Sequence, residues 1–245
     1  MDTRLIVDEP ARGSWNMAVD EVLLRWAGQE GGSALRFYQW VEPTLSLGYF
    51  QQIESRREHP PSSSLPVVRR ATGGGAIVHD RELTYSFVTP IRNRFSSAAQ
   101  EFVTQFHTLL IATLEKYDVV ATLCGEAATE QQSEPFLCFQ RRNSLDVLVG
   151  DAKVVGSAQR RHLGALLQHG SILLARSPHA EALPGLAELT GAPISPSKLL
   201  QDWSQRLGRH FGFDFAPSSL SAAEASLAID IERDRFAHAR WTCKH

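Results

Sequence analysis

R-R-A-T-G-G-G-A-I-V-H-D, residues Arg69 to Asp80, sets two arginines, a hydroxyl and three consecutive glycines directly ahead of a β-branched strand pattern that closes on a His-Asp pair. A glycine in or beside a strand loses about 0.5–1 kcal/mol more than alanine in conformational entropy, so three in a row point to a backbone that takes unusual φ/ψ or is approached closely. Paired guanidiniums beside it suggest that whatever approaches is anionic or carbonyl-rich. The alternative is a hairpin turn between Val67-Val68 and Ala76-Ile77-Val78, with Arg69 and Arg70 as a solvated strand end. Two phosphate motifs are excluded. The segment has no G-x-x-x-x-G-K-[ST] pattern, and Gly73-x-Gly75 is followed by Val78 where a dinucleotide fingerprint needs glycine or alanine and then a helix. A strand follows these glycines, and the chain around them alternates in the same way.

Arg4 to Asp8 reads as a short strand, after which Ser14 is expected to cap a helix carrying Trp15, Ala18, Val22 and Trp26 at helical spacing. Leu35 to Trp40 and Leu45 to Phe50 read as strands around Glu42-Pro43, and a Pro/Ser-rich connection from Glu58 to Pro66 leads into the glycine motif. Leu83 to Thr89 alternates as a strand. Ser96 to Tyr117 carries one apolar stripe of Phe102, Val103, Phe106, Leu109, Leu110 and Leu114, the signature of a central packing helix. Gly125 to Arg142 breaks the periodicity, and a loop of that length in a compact domain is often functional. Leu145 to Val149 and Lys153 to Ala158 flank Gly150-Asp151 as a hairpin, Gln168 to Ala175 is a further strand, and the remainder from His179 reads as mostly helical. Strands with helices segregated around them predict an α+β domain.

With 43% apolar and 21% charged residues in 245, the composition is that of an ordinary globular protein, and a formal net charge of −2 argues against a general nucleic-acid or membrane binder. Cys124, Cys138 and Cys243 have no paired short spacing for zinc and cannot form a fully paired disulfide framework. No signal-peptide core or span of roughly 18 apolar residues is present, so a cytoplasmic protein with reduced thiols is expected.

Two side chains could carry chemistry beside the glycines. Lys153, in K-V-V-G-S-A-Q-R-R, is a lysine on an otherwise apolar strand, with a small Gly156-Ser157-Ala158 step that would let a substrate approach the backbone. It is either a surface strand lysine or an ammonium that fixes a carbonyl oxygen or phosphate. Cys138, in P-F-L-C-F-Q-R-R, precedes Arg141 and Arg142, and nearby cations favour the nucleophilic thiolate; the alternative is a small buried hydrophobe. His79 and His169 either shape a pocket or satisfy hydrogen bonds, and no Ser-His-Asp set or metal-ligating set can be nominated.

Read in order, M-A-V-D-E-V-L-L at Met17, L-R-F-Y-Q-W at Leu35, T-L-S-L-G-Y-F-Q at Thr44, the R-R-A-T-G-G-G segment, H-D-R-E-L-T-Y-S at His79, K-V-V-G-S-A-Q-R-R at Lys153 and L-L-Q-H-G-S-I-L at Leu166 resemble the blocks of the biotin/lipoate protein ligase and octanoyltransferase superfamily. The resemblance implies a single α+β catalytic domain over residues 1–245 of the biotin-protein-ligase, class II aminoacyl-tRNA-synthetase-like type, a mixed sheet with flanking helices. It also implies a helical C-terminal segment from about 179 to 245 that is too short for a full accessory domain. Arg70, Thr72, Gly73, Gly74, Gly75, Ala76, Ile77, Val78, His79, Gly156, Ser157 and His169 would then bind the acyl or acyl-adenylate group, and Lys153 would contact the reacting carbonyl.

The cysteine-dependent octanoyltransferase branch is the one these motifs look most like, and there Cys138 matches the nucleophile. Its donor would be octanoyl-acyl carrier protein and its acceptor a lipoyl domain or glycine cleavage H protein, with no cofactor, nucleic acid or membrane required. An ATP-dependent lipoate ligase using ATP and Mg is the rival. Gln168 stands where ligases more often carry the first histidine of H-H-G, a departure that weakens the ligase reading. Lipoyl amidotransfer between carrier proteins and a noncatalytic carrier-domain binder are further alternatives.

Overall fold

A computed structural model describes residues 2–91, 99–125 and 134–244. The strands are β1 (Asp2–Val7), β2 (Ser33–Tyr38), β3 (Thr44–Leu47), β4 (Val67–Arg69), β5 (Ile77–His79), β6 (Glu82–Pro90), β7 (Thr122–Leu123), β8 (Val147–Val149), β9 (Ala152–His162), β10 (Ala165–Leu173) and β11 (Asp214–Ser218). The helices are α1 (Gly13–Glu30), α2 (Ala99–Leu114), α3 (Leu186–Thr190), α4 (Pro196–Phe211), α5 (Ala222–Ile231) and α6 (Ala239–Thr242). Eight strands form one sheet in the order β11-β1-β2-β6-β10-β9-β8-β7, and β4-β3-β5 form a second, smaller one. The large sheet is mixed, because β11 and β2 run parallel to β1 while β2 to β9 pair antiparallel. The expected α+β architecture is therefore present.

Period-2 alternation assigns the two faces of the large sheet. Leu35 and Phe37 of β2, Leu83, Tyr85 and Phe87 of β6, and Leu166 and Ile172 of β10 join Phe106 of α2 and Trp203 of α4 in one core. Ala34 and Tyr38, Val88, and Ala165 and Leu167 from the same strands pack on α1 and α5 instead. Residues sharing this second face, among them Thr84, His169 and Ser171, are left for a site wherever α1 does not cover them.

Several boundaries differ from the sequence reading for local reasons. Helix α1 starts at Gly13 behind Arg12, and Ser14 lies inside the first turn, where its hydroxyl donates to Glu232 Oε1 at 2.6 Å rather than capping the helix. Strand β3 stops at Leu47 because Gly48 begins a turn closed by Gln51. The start expected for α2 at Ser96 and part of the irregular stretch, residues 126–133, lie outside the described residues. The segment after His179 is not purely helical: β11 adds a parallel edge strand to β1. No helix among the described residues is long and apolar enough to cross a membrane.

Candidate active site

The glycine run is not a hairpin turn. β4 pairs with β3 in parallel and β5 pairs with β3 antiparallel, so β3 lies between them and Arg70 to Ala76 must cross from one edge of the small sheet to the other. Such a crossing leaves carbonyls without strand partners, and Arg70 takes two of them. Arg70 donates to Ser46 O and Oγ at 3.2 Å each, to Gly73 O at 2.8 Å and to Gly75 O at 2.7 Å. Arg69 donates to Gly48, Tyr49 and Gln51 carbonyls and to Trp241 and Thr242 carbonyls from α6. The carbonyl-rich partner expected of these guanidiniums is the protein's own backbone. Arg69 is thus not available to a pantetheine phosphate or a nucleotide. Arg70 does face the cavity, but as the brace of its glycine wall; burial pushes its guanidinium down to about 10, a fall that the neighbouring Cys138 opposes.

Gly74 is the left-handed point of the crossing. Its φ is +93°, and a Cβ there would stand 3.0 Å from the Arg70 guanidinium and 3.8 Å from Cys138 Sγ. Cys138 is brought against it by main-chain pairing: Ala76 N donates to Phe136 O at 2.9 Å and Cys138 N donates to Ala76 O at 2.7 Å. Cys138 then opens a single 3-10 turn, Cys138–Gln140, with Phe139 buried behind it.

Lys153 approaches from β9. Its Nζ lies 3.9 Å from Cys138 Sγ, 3.2 Å from Cys138 O and 2.8 Å from Asp146 Oδ2, and the Lys153 and Asp146 side chains are only 3% and 6% exposed. Lys153 is therefore a buried, paired ammonium and not a surface strand lysine. The side chain folds across Gly156, where any Cβ would fall 2.8 Å from Lys153 Cε, so the small residue makes room for the lysine as well as for a substrate. Burial pushes the Asp146 carboxyl up, opposed by Lys153 and by the Asn143 amide that donates to it at 2.7 Å. Arg141 and Arg142, expected near the thiol, are spent elsewhere: Arg141 donates to Pro135 O and Glu134, and Arg142 to Phe139, Arg141 and Asp151 carbonyls. Lys153, with Arg70 behind Gly74, supplies the positive charge at the sulfur.

These groups edge a cavity of about 300 Å³ lined by Met17, Tyr38, Arg70, Gly73, Gly74, Ile77, His79, Thr84, Cys138, Phe139, Gly156 to Gln159, and His169 to Ser171. Of the wall expected from Gly75 to Val78, only Ile77 lines it. Strand alternation turns Ala76 and Val78 into a separate core with Leu45, Leu47 and Leu137. Gly75 contributes its carbonyl to Arg70, and Thr72 acts through His169.

Both histidines are held in buried chains. His169 Nδ1 donates to Asp20 Oδ2 at 3.1 Å and its Nε2 shares a hydrogen with the Thr72 hydroxyl at 2.7 Å. Burial pushes the Asp20 carboxyl up, but His169, Arg36 and Ser86 together hold it below the ordinary carboxylate value. His79 bonds Glu82 Oε1 and Ser46 Oγ at 2.7 Å each and stacks on Trp40 with centroids 3.8 Å apart; burial lowers its affinity for a proton. The pocket-shaping and hydrogen-bonding roles weighed for these histidines are thus held together. Asp146, Asp20, Arg36 and Gly170 went unassigned from the sequence, although Arg36, Asp20 and Gly170 lie inside quoted motifs.

His107, on α2 behind the pair, donates from Nδ1 to Leu145 O at 2.5 Å, and burial pushes it down to about 4. The folded state then refuses a proton that the unfolded chain takes up near pH 6.5. Stability is full above that pH and falls as the pH drops toward about 4, by on the order of 3 kcal/mol. In urea titrations at pH 7 and pH 4.5, His107→Gln is expected to lose much less than the wild type; equal losses would refute the assignment.

Residues 12–183 match the sequence family described as "Lipoyl protein ligase A/B catalytic domain". A protein named octanoyltransferase LipM from Brevibacillus brevis is 30% identical over 272 residues, covering 98% of both chains, and one of the same name from Geobacillus kaustophilus is 36% identical over 261 residues, covering 94% of both. Among solved structures, Ta0514 from T. acidophilum, described as a putative lipoate protein ligase with bound lipoic acid, superposes with a TM-score of 0.81 at 21% identity over 99% of this chain and all of that one. A lipoate-protein ligase A bound with ATP gives 0.77 at 20% identity over 99% of each chain. The motif order, the fold and these matches agree, and the chain belongs to the lipoyl protein ligase A/B catalytic domain family.

Proposed function

We propose that this enzyme moves octanoyl from octanoyl-acyl carrier protein to a lysine of a lipoyl carrier domain, such as glycine cleavage H protein, through an acyl-enzyme on Cys138. The observation that carries the reading is the placement of Cys138 Sγ at the wall of the cavity, 3.9 Å from Lys153 Nζ and beside Gly74. The octanoyltransferase names of the relatives support the choice of acyl group and chemistry. Sγ attacks the donor thioester, the pantetheine thiolate leaves, and the acceptor amine then attacks the Cys138 thioester and returns the sulfur. Lys153 donates to the oxyanion in both halves, an interaction worth about 3–4 kcal/mol when one such donor is removed. Each buried CH₂ of the chain adds about 0.8 kcal/mol, which lets the cavity measure length. No nucleotide, metal, nucleic acid or membrane enters this route. Residues 1–245 act as one catalytic unit, and a cytoplasmic setting keeps its thiol reduced.

The test is an intact mass after incubation with octanoyl-acyl carrier protein without ATP. An octanoyl adduct released by hydroxylamine and absent from Cys138→Ala is expected. A wild type that takes up no octanoyl, or lipoate-dependent pyrophosphate exchange in its place, would replace this reading by the ligase one.

A further inference from the structure

The ammonium that stabilises the transfer is also a nucleophile at close range. Once Cys138 carries octanoyl, as proposed above, the thioester carbon lies one C–S bond from Sγ, and Nζ stands 3.9 Å from that sulfur. A neutral Lys153 would reach the carbonyl carbon at the near-attack separation of about 3–3.5 Å in those orientations of the thioester that turn it toward Nζ. Its nitrogen would form a C–N bond to the carbonyl, the C–S bond would break, and one amine proton would pass to the departing sulfur. The products are free Cys138 thiol and an octanoyl-amide on Lys153. An amide is far less reactive than a thioester, so a single such event would end catalysis.

One side chain stands against this. Asp146 Oδ2 lies 2.8 Å from Nζ, both side chains are buried, and the Asn143 amide fixes the carboxylate. Arg142 acts on Asp146 and His107 feels Lys153, and neither supplies a negative charge. An ammonium paired in this way has no lone pair, and its N–H bonds point to Asp146 and to Cys138 O. Without the carboxylate, a buried charge is left uncompensated, and the N–H bonds lose the partner that turns them away from the thioester.

We infer that Asp146 is a positioning residue that protects the enzyme from S-to-N transfer of octanoyl onto its own Lys153, reserving the thioester for the acceptor's lysine. The inference rests on the acyl-cysteine reading, and one experiment separates the two. Wild type, Asp146→Asn and Asp146→Asn/Lys153→Met are loaded with octanoyl-acyl carrier protein without acceptor, weighed intact before and after hydroxylamine, and mapped by peptide sequencing. Wild type is expected to carry only hydroxylamine-labile octanoyl on Cys138. In Asp146→Asn most of the octanoyl should become resistant and map to Lys153, and the double variant should return to labile adduct alone. Asp146→Ser takes the same place if Asp146→Asn does not fold. Labile octanoyl only, or no octanoyl in either single variant while the wild type loads, overturns the inference. Migration to Lys153 in the wild type at the variant's rate does so too. A wild type that never loads defeats the acyl-cysteine reading itself, and this inference with it.

Discussion

Lys153→Met is expected to slow octanoyl transfer about 10²–10³-fold, the usual effect of removing one donor from an oxyanion site. The same change should cost about 3–5 kcal/mol of stability, because it strands the Asp146 carboxylate in a site where that side chain is 6% exposed. The two effects have different origins and come apart in the double variant Asp146→Asn/Lys153→Met. With both charges gone, no ion is left uncompensated, so urea unfolding should recover most of the lost stability. Transfer to a lipoyl domain should stay slow, since the donor 3.9 Å from Sγ is still missing. Recovery of the rate along with the stability would reduce Lys153 to a structural role and remove the electrostatic half of the mechanism.

Lys153 and Cys138 were legible because each breaks the pattern around it: a cation on an apolar strand, and a thiol in an aperiodic segment rich in arginine. Asp146 was not, although it lies seven residues from Lys153. Its partnership needs the β8–β9 pairing, and the register of that hairpin shifts between Val147 and Leu148, so simple counting across Gly150-Asp151 does not bring the carboxylate to the ammonium. The glycine run does border the cavity, but its arginines, read as facing a ligand, bond the protein's own carbonyls. A loop's unpaired carbonyls exist only once the chain is folded, and from sequence a guanidinium facing carbonyls does not reveal whose they are. Ala76 and Val78 lie off the cavity for a simpler reason. Neighbours in a strand point to opposite faces, and only Ile77 turns toward the cavity.

Arg36 carries the largest purely structural expectation. It is fully buried in β2 and donates to Asp8 Oδ2 at 2.7 Å, Asp20 Oδ1 at 2.9 Å, and Asn16 Oδ1 and O at 2.9 and 3.2 Å, with its guanidinium 4.0 Å from the Tyr38 ring centroid. Asp20 in turn holds His169, and His169 holds Thr72 at the head of the glycine crossing. Arg36→Met leaves Asp20 with hydrogen bonds from Ser86, Tyr38 and His169 but without its guanidinium, and the expected loss is about 3–5 kcal/mol. Against a typical domain stability of about 5–15 kcal/mol that is enough to unfold a large fraction of the protein on mild heating. Adding Asp20→Asn removes the stranded charge and should restore part of the loss, while leaving His169 and Thr72 less firmly held. The double variant should therefore fold and still acylate Cys138 more slowly than the wild type. If Arg36→Met costs less than about 1 kcal/mol, the range of exposed pairs, then water reaches Asp20 and the buried chain from β2 to the glycines is not what fixes the cavity wall.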